Sequence, residues 1–319
     1  MLHITSGESV RIPETGLPGD VLYWMDVLHE GPVPPALALE ELSQVRARFI
    51  ADSGWGVQAE ALAGFARRDA ALARFAEHDE VVLWFEHDLY DQLQLVQILD
   101  WFTLHDRSKT RLSLICIGSF PGIGRFKGLG QLTGKQLFSL FDGRREIGAA
   151  EFKLAAEAWA VLRSTDPTDI EWLLAQSTDA LPFLRGALTR LLEQFPSASN
   201  GLARTERQIL EVLTTGLHGF DEVFLAEQDK EERVFLGENT FRAYLERLRT
   251  AREPLVEIEH GRIKVTPAGH AVLRGSEDAV KLNGIDRWLG GVHLAADAWR
   301  WDERHRKLLR KDPARANRG

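Results

Sequence analysis

The stretch VVLWFEHDLYDQLQ, residues 81–94, decides the fold of this chain. Its first five residues are apolar, and Glu86, His87 and Asp88 follow them without a break. A short, continuously apolar run predicts a strand that is covered on both faces of its sheet. The apolar residues after Asp88 recur at helical spacing, so we expect the strand to lead directly into a helix, with three ionisable side chains at the junction.

Three other apolar runs predict strands of the same kind: LHIT, VLYW and LSLICI. Two helical patterns, over about residues 39–51 and 58–76, separate the second of these strands from residues 81–85. Alternating strands and helices are typical of parallel sheets with helices on both faces. We therefore predict an α/β fold, with a Rossmann-like, mainly parallel sheet in an N-terminal domain of residues 1–147.

Two further parts of the chain have a simpler pattern. Apolar residues at three- and four-residue spacing favour a helical connector over residues 148–196, and the breaker-rich PSASNG that follows marks a domain boundary. Residues 276–319 form a tail with a strongly basic end. We expect its basic residues 304–318 to be solvated and its tryptophans to pack against the protein. These are Trp288, Trp299 and Trp301.

Residues 201–275 predict a winged helix-turn-helix domain. Three helical patterns are followed by a hairpin with its turn at His260-Gly261. Basic side chains of the third helix and the wing could contact nucleic acid: Arg242, Arg247, Arg249, Arg252, Arg262 and Lys264. The domain nevertheless has 11 Lys and Arg against 13 Asp and Glu. DNA binding and a protein-contact role therefore both stay open.

Composition excludes several classes of protein. The 319 residues are 44% hydrophobic, with a formal charge of −8 and a pI near 5.7, which argues against non-specific coating of nucleic acid. The single Cys116, in the LSLICI run, excludes an intramolecular disulfide framework and a cysteine-rich zinc site. The chain lacks a signal-peptide pattern and an apolar run of about 20 residues, so we expect a cytoplasmic protein without a membrane partner.

Polar side chains follow each predicted strand. Ligands of open α/β sheets bind beyond the carboxyl ends of the strands, so these residues are expected to converge on one site. The candidate catalytic residues are Asp26, His29, Glu30, Glu86 and His87. The candidate ligand-binding residues are Ser6, Gly7, Arg46, Asp88 and Asp91.

Each candidate also has a structural interpretation. Asp88, with Asp91 three residues later, is typical of a helix N-cap. His29 and Glu30 precede a Gly-Pro turn and could be surface loop residues. The histidines and carboxylates are suitable ligands for a divalent metal such as Zn, Mn or Mg, although no HExxH spacing occurs. The same groups could instead act as general acid and base without metal.

A glycine-rich segment follows the fourth predicted strand, GSFPGIGRFKGLGQLTGKQL, residues 118–137. Its main-chain N–H groups, with Arg125, Lys127 and Lys135, could hold a phosphate or another anion. Neither the Walker A spacing nor G-x-G-x-x-G directly after the strand is present. The pattern favours a lid or plain connector over a specific nucleotide loop.

Five motifs together resemble the bacterial family called domain of unknown function 1835: LHITSGES, YWMDVLHEGPVP, ALEELSQVRARFI, VVLWFEHDLYDQLQ and RWLGGVHL. The resemblance runs through most of the chain but implies no activity. This chain has Ser6-Gly7-Glu8 where the family often has Asn-Gly-Asp, and Met25 where it often has Arg. Other positions agree with the family pattern: Asp26, His29, Glu30, Glu86, His87, Asp88 and Asp91.

Three functions are consistent with these patterns. The first is an enzyme or small-ligand protein, with a lean towards hydrolytic or phosphoryl chemistry on a phosphorylated ligand. In it Glu86 acts as base, His29 or His87 carries a proton, and Arg46 or the glycine-rich segment holds an anion. The second is a ligand-responsive regulator that binds DNA through the winged helix. The third is a scaffold whose polar clusters only stabilise loops and helix ends.

Overall fold

The computed structural model describes residues 1–107, 109–295 and 299–310. By their contacts they form two compact units: residues 1–188 with 290–292, and residues 189–289 with the described residues from 293 onward. The predicted helical connector of residues 148–196 thus falls mainly in the first unit.

The first unit is a mixed α/β structure. Its strands are β1 (Leu2–Thr5), β2 (Asp20–Tyr23), β3 (Gly31–Pro32), β4 (Glu80–Glu86), β5 (Arg111–Ile117) and β6 (Arg145–Glu146). Its helices are α1 (Leu39–Asp52), α2 (Gln58–Ala73), α3 (Leu89–Thr103), α4 (Gly134–Phe141), α5 (Ala149–Arg163), α6 (Thr168–Leu174) and α7 (Leu184–Leu192), the last of which runs into the second unit. The four predicted strands and the two helical patterns between them are all present.

Five of these strands form one sheet in the order β2-β1-β4-β5-β6. The first four strands are parallel, which confirms the prediction of a mainly parallel α/β sheet. The fifth strand, β6, is antiparallel to β5 and was not predicted. It consists of two exposed charged residues at the sheet edge, so no apolar run marks it in the sequence.

The register of the sheet brings the strand ends together. Thr5 of β1 pairs with Tyr23 of β2 and with Trp84 of β4, and Glu86 of β4 pairs with Ile117 of β5. The segments that follow these strands therefore start along one edge of the sheet.

The core explains why β4 lacks an alternating pattern. Residues 81–85 are completely buried, so both faces of the strand are covered. On one face Val82 and Trp84 pack with Phe126, Leu129 and Leu132. The glycine-rich segment, predicted as a lid or connector, therefore contributes buried side chains to the core.

The second unit holds the remaining elements. Its helices are α8 (Arg204–Leu213), α9 (Phe220–Gln228), α10 (Glu238–Thr250), α11 (Pro267–Leu273) and α12 (Ala279–Asn283). Its strands are β7 (Val256–Glu259), β8 (Arg262–Val265), β11 (Trp299–Asp302) and β12 (Lys307–Arg310), whereas β9 (Arg287–Gly290) and β10 (Val292–Leu294) cross the division along the chain. An antiparallel hairpin turning at His260-Gly261 joins β7 to β8, as predicted.

The tail contains a hairpin that the sequence did not predict. β11 and β12 pair antiparallel, and the basic residues between 304 and 310 are exposed, as expected for solvated charges. Residues 311–318 lie outside the described residues. Trp301 is buried, Trp299 is partly buried, and the Trp288 ring stacks on His293 at a centroid distance of 4.4 Å.

Glu80 fixes the amino end of β4 by ion pairs. It lies 5% exposed, and its carboxylate accepts hydrogen bonds from Arg111 at 2.6 Å, Ser113 at 2.6 Å and Arg144 at 2.8 Å. Burial alone raises the pKa of Glu80, but the hydrogen bonds from Arg144, Arg111 and Ser113 outweigh it and lower the pKa to about 2. The ionised carboxylate therefore stabilises the folded state.

We expect Glu80→Gln to destabilise the protein at neutral pH but not in acid. A depressed folded-state pKa contributes stability that is fully present above the ordinary Glu value of 4.5 and is lost as the pH falls towards 2. Urea unfolding across this pH range should show that the difference in unfolding free energy between the wild type and Glu80→Gln becomes smaller as the pH drops. The exposed Glu77→Gln serves as control, and a gap that stays constant with pH would contradict the assignment.

Candidate functional site

The β4-α3 junction carries the candidate site. β4 ends at Glu86, and Asp88 is the N-cap of α3, because its Oδ1 accepts a hydrogen bond of 3.0 Å from the Asp91 N–H. The capping interpretation of Asp88 therefore has the required geometry. The main-chain N–H of Glu86 donates to Asp91 Oδ1 at 3.1 Å, which holds Asp91 against the strand end.

Three carboxylates meet at this junction. One oxygen from each of Glu86, Asp88 and Asp91 lies within 4.8 Å of the other two, and we call these residues the acidic triad. Asp88 and Asp91 are 3% and 1% exposed, whereas Glu86 is only partly buried. Glu86 is therefore the member of the triad with the greatest exposure to solvent.

Burial and mutual repulsion disfavour ionisation of the triad. Burial, followed by the nearby charge of Asp88, raises the pKa of Glu86 well above its ordinary value. Burial, followed by the charges of Glu86 and Asp88, does the same to the pKa of Asp91. Hydrogen bonds from the Leu129 N–H to Glu86, and from Ser6 and the Glu86 N–H to Asp91, act in the opposite direction but do not compensate.

The triad differs in kind from Glu80 at the other end of the same strand. Glu80 is paired with two arginines, whereas Glu86 and Asp91 accept hydrogen bonds from main-chain N–H groups. Such a cluster can reduce its repulsion by keeping protons or by binding a cation. Oxygen ligands of this type suit hard divalent ions such as Mg²⁺, Mn²⁺ and Ca²⁺.

Gly128 makes room for the triad. A Cβ at this position would lie 2.4 Å from Glu86 Oε1, and the next residue, Leu129, donates its N–H to Glu86 Oε2. The glycine-rich segment thus positions Glu86 through its main chain. Sequence reasoning assigned it a role in anion binding through its cations and missed this contact, because nothing local in the sequence links residues 43 positions apart.

The cations of the glycine-rich segment differ in their exposure to solvent. Arg125 and Lys135 are exposed and Lys127 is partly exposed. Their assignment to an anion therefore stays a prediction.

Arg46 binds the loop after β2. The guanidinium lies 1% exposed, donates to Asp26 Oδ1 at 2.9 Å, and donates to the carbonyl oxygens of Glu30 at 2.7 Å and Val27 at 2.8 Å. These contacts give both Arg46, predicted to bind ligand, and Asp26, predicted to be catalytic, a structural role in shaping the loop.

The two candidate histidines are buried in different surroundings. The His29 ring, 1% exposed, lies edge-on to Tyr90 at a centroid distance of 6.0 Å. The His87 ring, 5% exposed, packs near Phe126 and Phe183 at 5.8 and 6.0 Å. Aromatic packing therefore surrounds His87, although it adjoins Glu86 in sequence.

The first loop approaches the site through α3. The Tyr90 hydroxyl donates to the Ser6 carbonyl at 3.3 Å, and the Ser6 side chain bonds Asp91. A Cβ on Gly7 would meet nothing within 4 Å, so there is open space beside this loop. Of the predicted residues, the structure thus joins Ser6 to the triad, and Arg46 bonds both the Asp26 carboxylate and the Glu30 main chain.

The candidate nucleic-acid side chains of the second unit lie beside acidic groups. Arg242 bonds Glu238 at 2.8 Å, Arg249 bonds Glu246 at 2.9 Å, and Lys264 bonds Glu259 at 2.7 Å. Arg247 lies over the ring of Tyr244 at 4.2 Å. The paired carboxylates reduce the positive potential that phosphate binding requires.

Comparison with known proteins identifies no relative. No protein-family model matches the chain, and a search of curated proteins finds no similar sequence. Among the described residues, no helix has the length and apolar character needed to cross a membrane.

We expect Arg46→Met to cost about 3–5 kcal/mol of unfolding free energy, because it leaves the Asp26 carboxylate buried without its counter-charge. The exposed Arg48 lies on the same helix, and Arg48→Met should change stability by about 0.5 kcal/mol or less. Urea unfolding measures both.

A double variant separates the cost of leaving Asp26 without a counter-charge from the cost of changing the side-chain volume at position 46. Adding Asp26→Asn to Arg46→Met removes the unpaired charge and should restore part of the loss. Equal stability of Arg46→Met and Arg48→Met would show that Arg46 does not hold the loop.

Proposed function

We propose that this protein binds a hard divalent cation, Mg²⁺ or Mn²⁺, at the acidic triad and through it holds a phosphorylated small molecule for hydrolysis or phosphoryl transfer. The observation that supports this is the approach of three carboxylates to within 4.8 Å at the carboxyl end of a parallel strand. Bound metal would supply Lewis acidity and neutralise charge on phosphate oxygens.

The donor set favours Mg²⁺ or Mn²⁺ over zinc. All three ligand atoms are carboxylate oxygens, whereas protein zinc sites usually include Cys or His. Mg²⁺ commonly binds through a few carboxylates and completes its coordination with water and substrate phosphate. Such groups would approach from the side of Glu86, which is the most exposed member of the triad.

The residues around the triad have supporting roles in this proposal. Leu129 N–H and Gly128 position Glu86, and Ser6 positions Asp91. Tyr90, bonded to the Ser6 carbonyl, links this loop to His29, which remains our candidate for carrying a proton. Arg46 orients the loop that bears His29 and is not assigned to the ligand.

We also propose the finer fold and family assignments. The strand order and the helices on the sheet support a Rossmann-like N-terminal domain, and the α8-α9-α10 helices with the β7-β8 hairpin support a winged helix. The five sequence motifs support membership of the domain of unknown function 1835 family. An experimental structure of a family member in which the triad and Gly128 had no counterparts would argue against that membership.

The DNA-binding and scaffold functions have less support. Ion pairs occupy Arg242, Arg249 and Lys264, which weakens the case for a regulator. A scaffold does not need three carboxylates whose repulsion costs stability.

We expect Mn²⁺ to raise the melting temperature of the metal-stripped wild type. At about a hundred times its dissociation constant, a ligand adds roughly 2.7 kcal/mol of stability. Glu86→Gln and Asp91→Asn should melt at the same temperature with and without Mn²⁺. Asp79→Asn, which changes an exposed carboxylate before the other end of β4, should respond like the wild type.

The pH dependence separates metal binding from proton sharing. Because the pKa values of Glu86 and Asp91 are raised, the metal-free triad retains protons that a cation must displace. Mn²⁺ affinity should therefore increase as the pH rises above the ordinary carboxyl range. If the wild type gains no stability from Mn²⁺ or Mg²⁺ at any such pH, the triad acts without metal.

Gly128→Ala should weaken Mn²⁺ binding because the added methyl group displaces the Glu86 carboxylate. Gly124→Ala is the matched control, since a Cβ there meets nothing within 4 Å and the position lies in the same segment. A calorimetric titration with Mn²⁺ should give about tenfold weaker binding for Gly128→Ala and wild-type affinity for Gly124→Ala. Equal affinities would show that the glycine-rich segment does not position Glu86.

A further inference from the structure

The second unit buries a carboxylate that has no role in the proposed function. Glu227 lies near the end of α9 and is completely buried. Among the described residues, neither of its carboxylate oxygens makes an ion pair or a close hydrogen bond. Such surroundings favour the neutral form of the side chain, because an ionised carboxylate without a partner is costly to bury.

The nearest cation of α7 is bonded to a different carboxylate. Arg190 donates to the two oxygens of Glu231 at 2.7 and 3.0 Å, and to the Thr205 hydroxyl at 2.9 Å. Its remaining nitrogen, Nη1, is buried and has no acceptor among the described residues. Arg190 thus holds the loop after α9 through Glu231 and keeps one donor group that is not used.

The other charged side chains on the elements around Glu227 are paired. Arg204 of α8 donates to Glu193 at 2.7 Å and to Glu232 at 2.6 Å. Of the two cations that act on Glu227, Arg190 and Arg204, it is therefore Arg190 that has the unused donor. Three further pairs occupy charges of α8, α9 and α10: Lys230 with Glu211, Arg242 with Glu238, and Arg262 with Glu222.

Burial and like charge keep a proton on Glu227 through the neutral range. Burial, followed by the charge of Glu231, raises the pKa of Glu227 from 4.5 to about 8, against the opposing effects of Arg190, the nearby Gln228 and Arg204. A raised folded-state pKa contributes stability that is fully present below pH 4.5 and is lost as the pH rises to about 8. Above that pH the loss is complete and stays constant.

We propose that Glu227 is a proton switch that controls how α9 is attached within the second unit. As the neutral acid, Glu227 leaves Arg190 to Glu231. When it releases its proton to solvent, the new carboxylate competes with Glu231 for Arg190, and the attachment of α9 to α7 and α8 loosens. The switch lies in the second unit and does not depend on the triad.

Hydrogen exchange of the full chain, measured from below pH 4.5 to above pH 8 and corrected for the intrinsic exchange rate at each pH, tests the proposal. In the wild type the protection of the α9 amides should fall over this range, by about tenfold per pH unit at most, and then level off. Glu227→Gln, which is neutral at every pH, should lose this pH dependence. Asp221→Asn, which changes an exposed carboxylate of the same helix, should behave like the wild type.

A second variant separates competition for Arg190 from burial alone. The infrared C=O band of the Glu227 acid, identified as the difference between the wild type and Glu227→Gln, should disappear near pH 8. In a Glu231→Gln background it should disappear at lower pH, because the competing charge is removed and Arg190 becomes available to Glu227. Identical pH profiles of α9 exchange in the wild type and Glu227→Gln, or a band that titrates at the same pH with and without the Glu231 charge, would overturn the proposal.

Discussion

The close approach of Glu86, Asp88 and Asp91 is the constraint on which the account of this protein depends. The parallel register ends β4 at Glu86, and the N-cap of α3 then places Asp88 and Asp91 within 4.8 Å of it. Burial and like charge raise the pKa of Glu86 and Asp91, so the folded state carries an electrostatic cost at neutral pH. A bound cation would remove that cost, which is why the triad is the centre of the proposed function.

Two other buried charges of the first unit, those of Glu80 and Arg46, are already neutralised. Glu80 is held by two arginines, and Arg46 is held by Asp26 and by main-chain carbonyl groups. These groups stabilise the amino end of β4 and the loop after β2. Glu86 and Asp91 of the triad differ from these groups. Their hydrogen bonds come from main-chain N–H groups and from Ser6 rather than from arginine side chains.

Much of this arrangement could be predicted from local sequence. The apolar run of residues 81–85 predicted a buried strand, and the strand-end rule selected Glu86, Asp88 and Asp91. The contact of Gly128 with Glu86 could not be predicted, since it depends on how residues 118–137 fold over the sheet. The direction of Arg46 was also beyond sequence reasoning, because a one-residue error in helix phase moves a side chain from solvent to core. Asp88 shows a different limit: a helix cap and a metal ligand require the same residue at the same position.

A crystal structure grown with Mn²⁺, with anomalous diffraction measured for manganese, tests the central claim most directly. The account predicts an anomalous peak bounded by oxygens of Glu86, Asp88 and Asp91, at about the 2.1 Å expected for a hard octahedral ion. An anomalous signal found only at other positions, with the carboxyl oxygens of Glu86 and Asp91 in direct contact and no manganese between them, would contradict it.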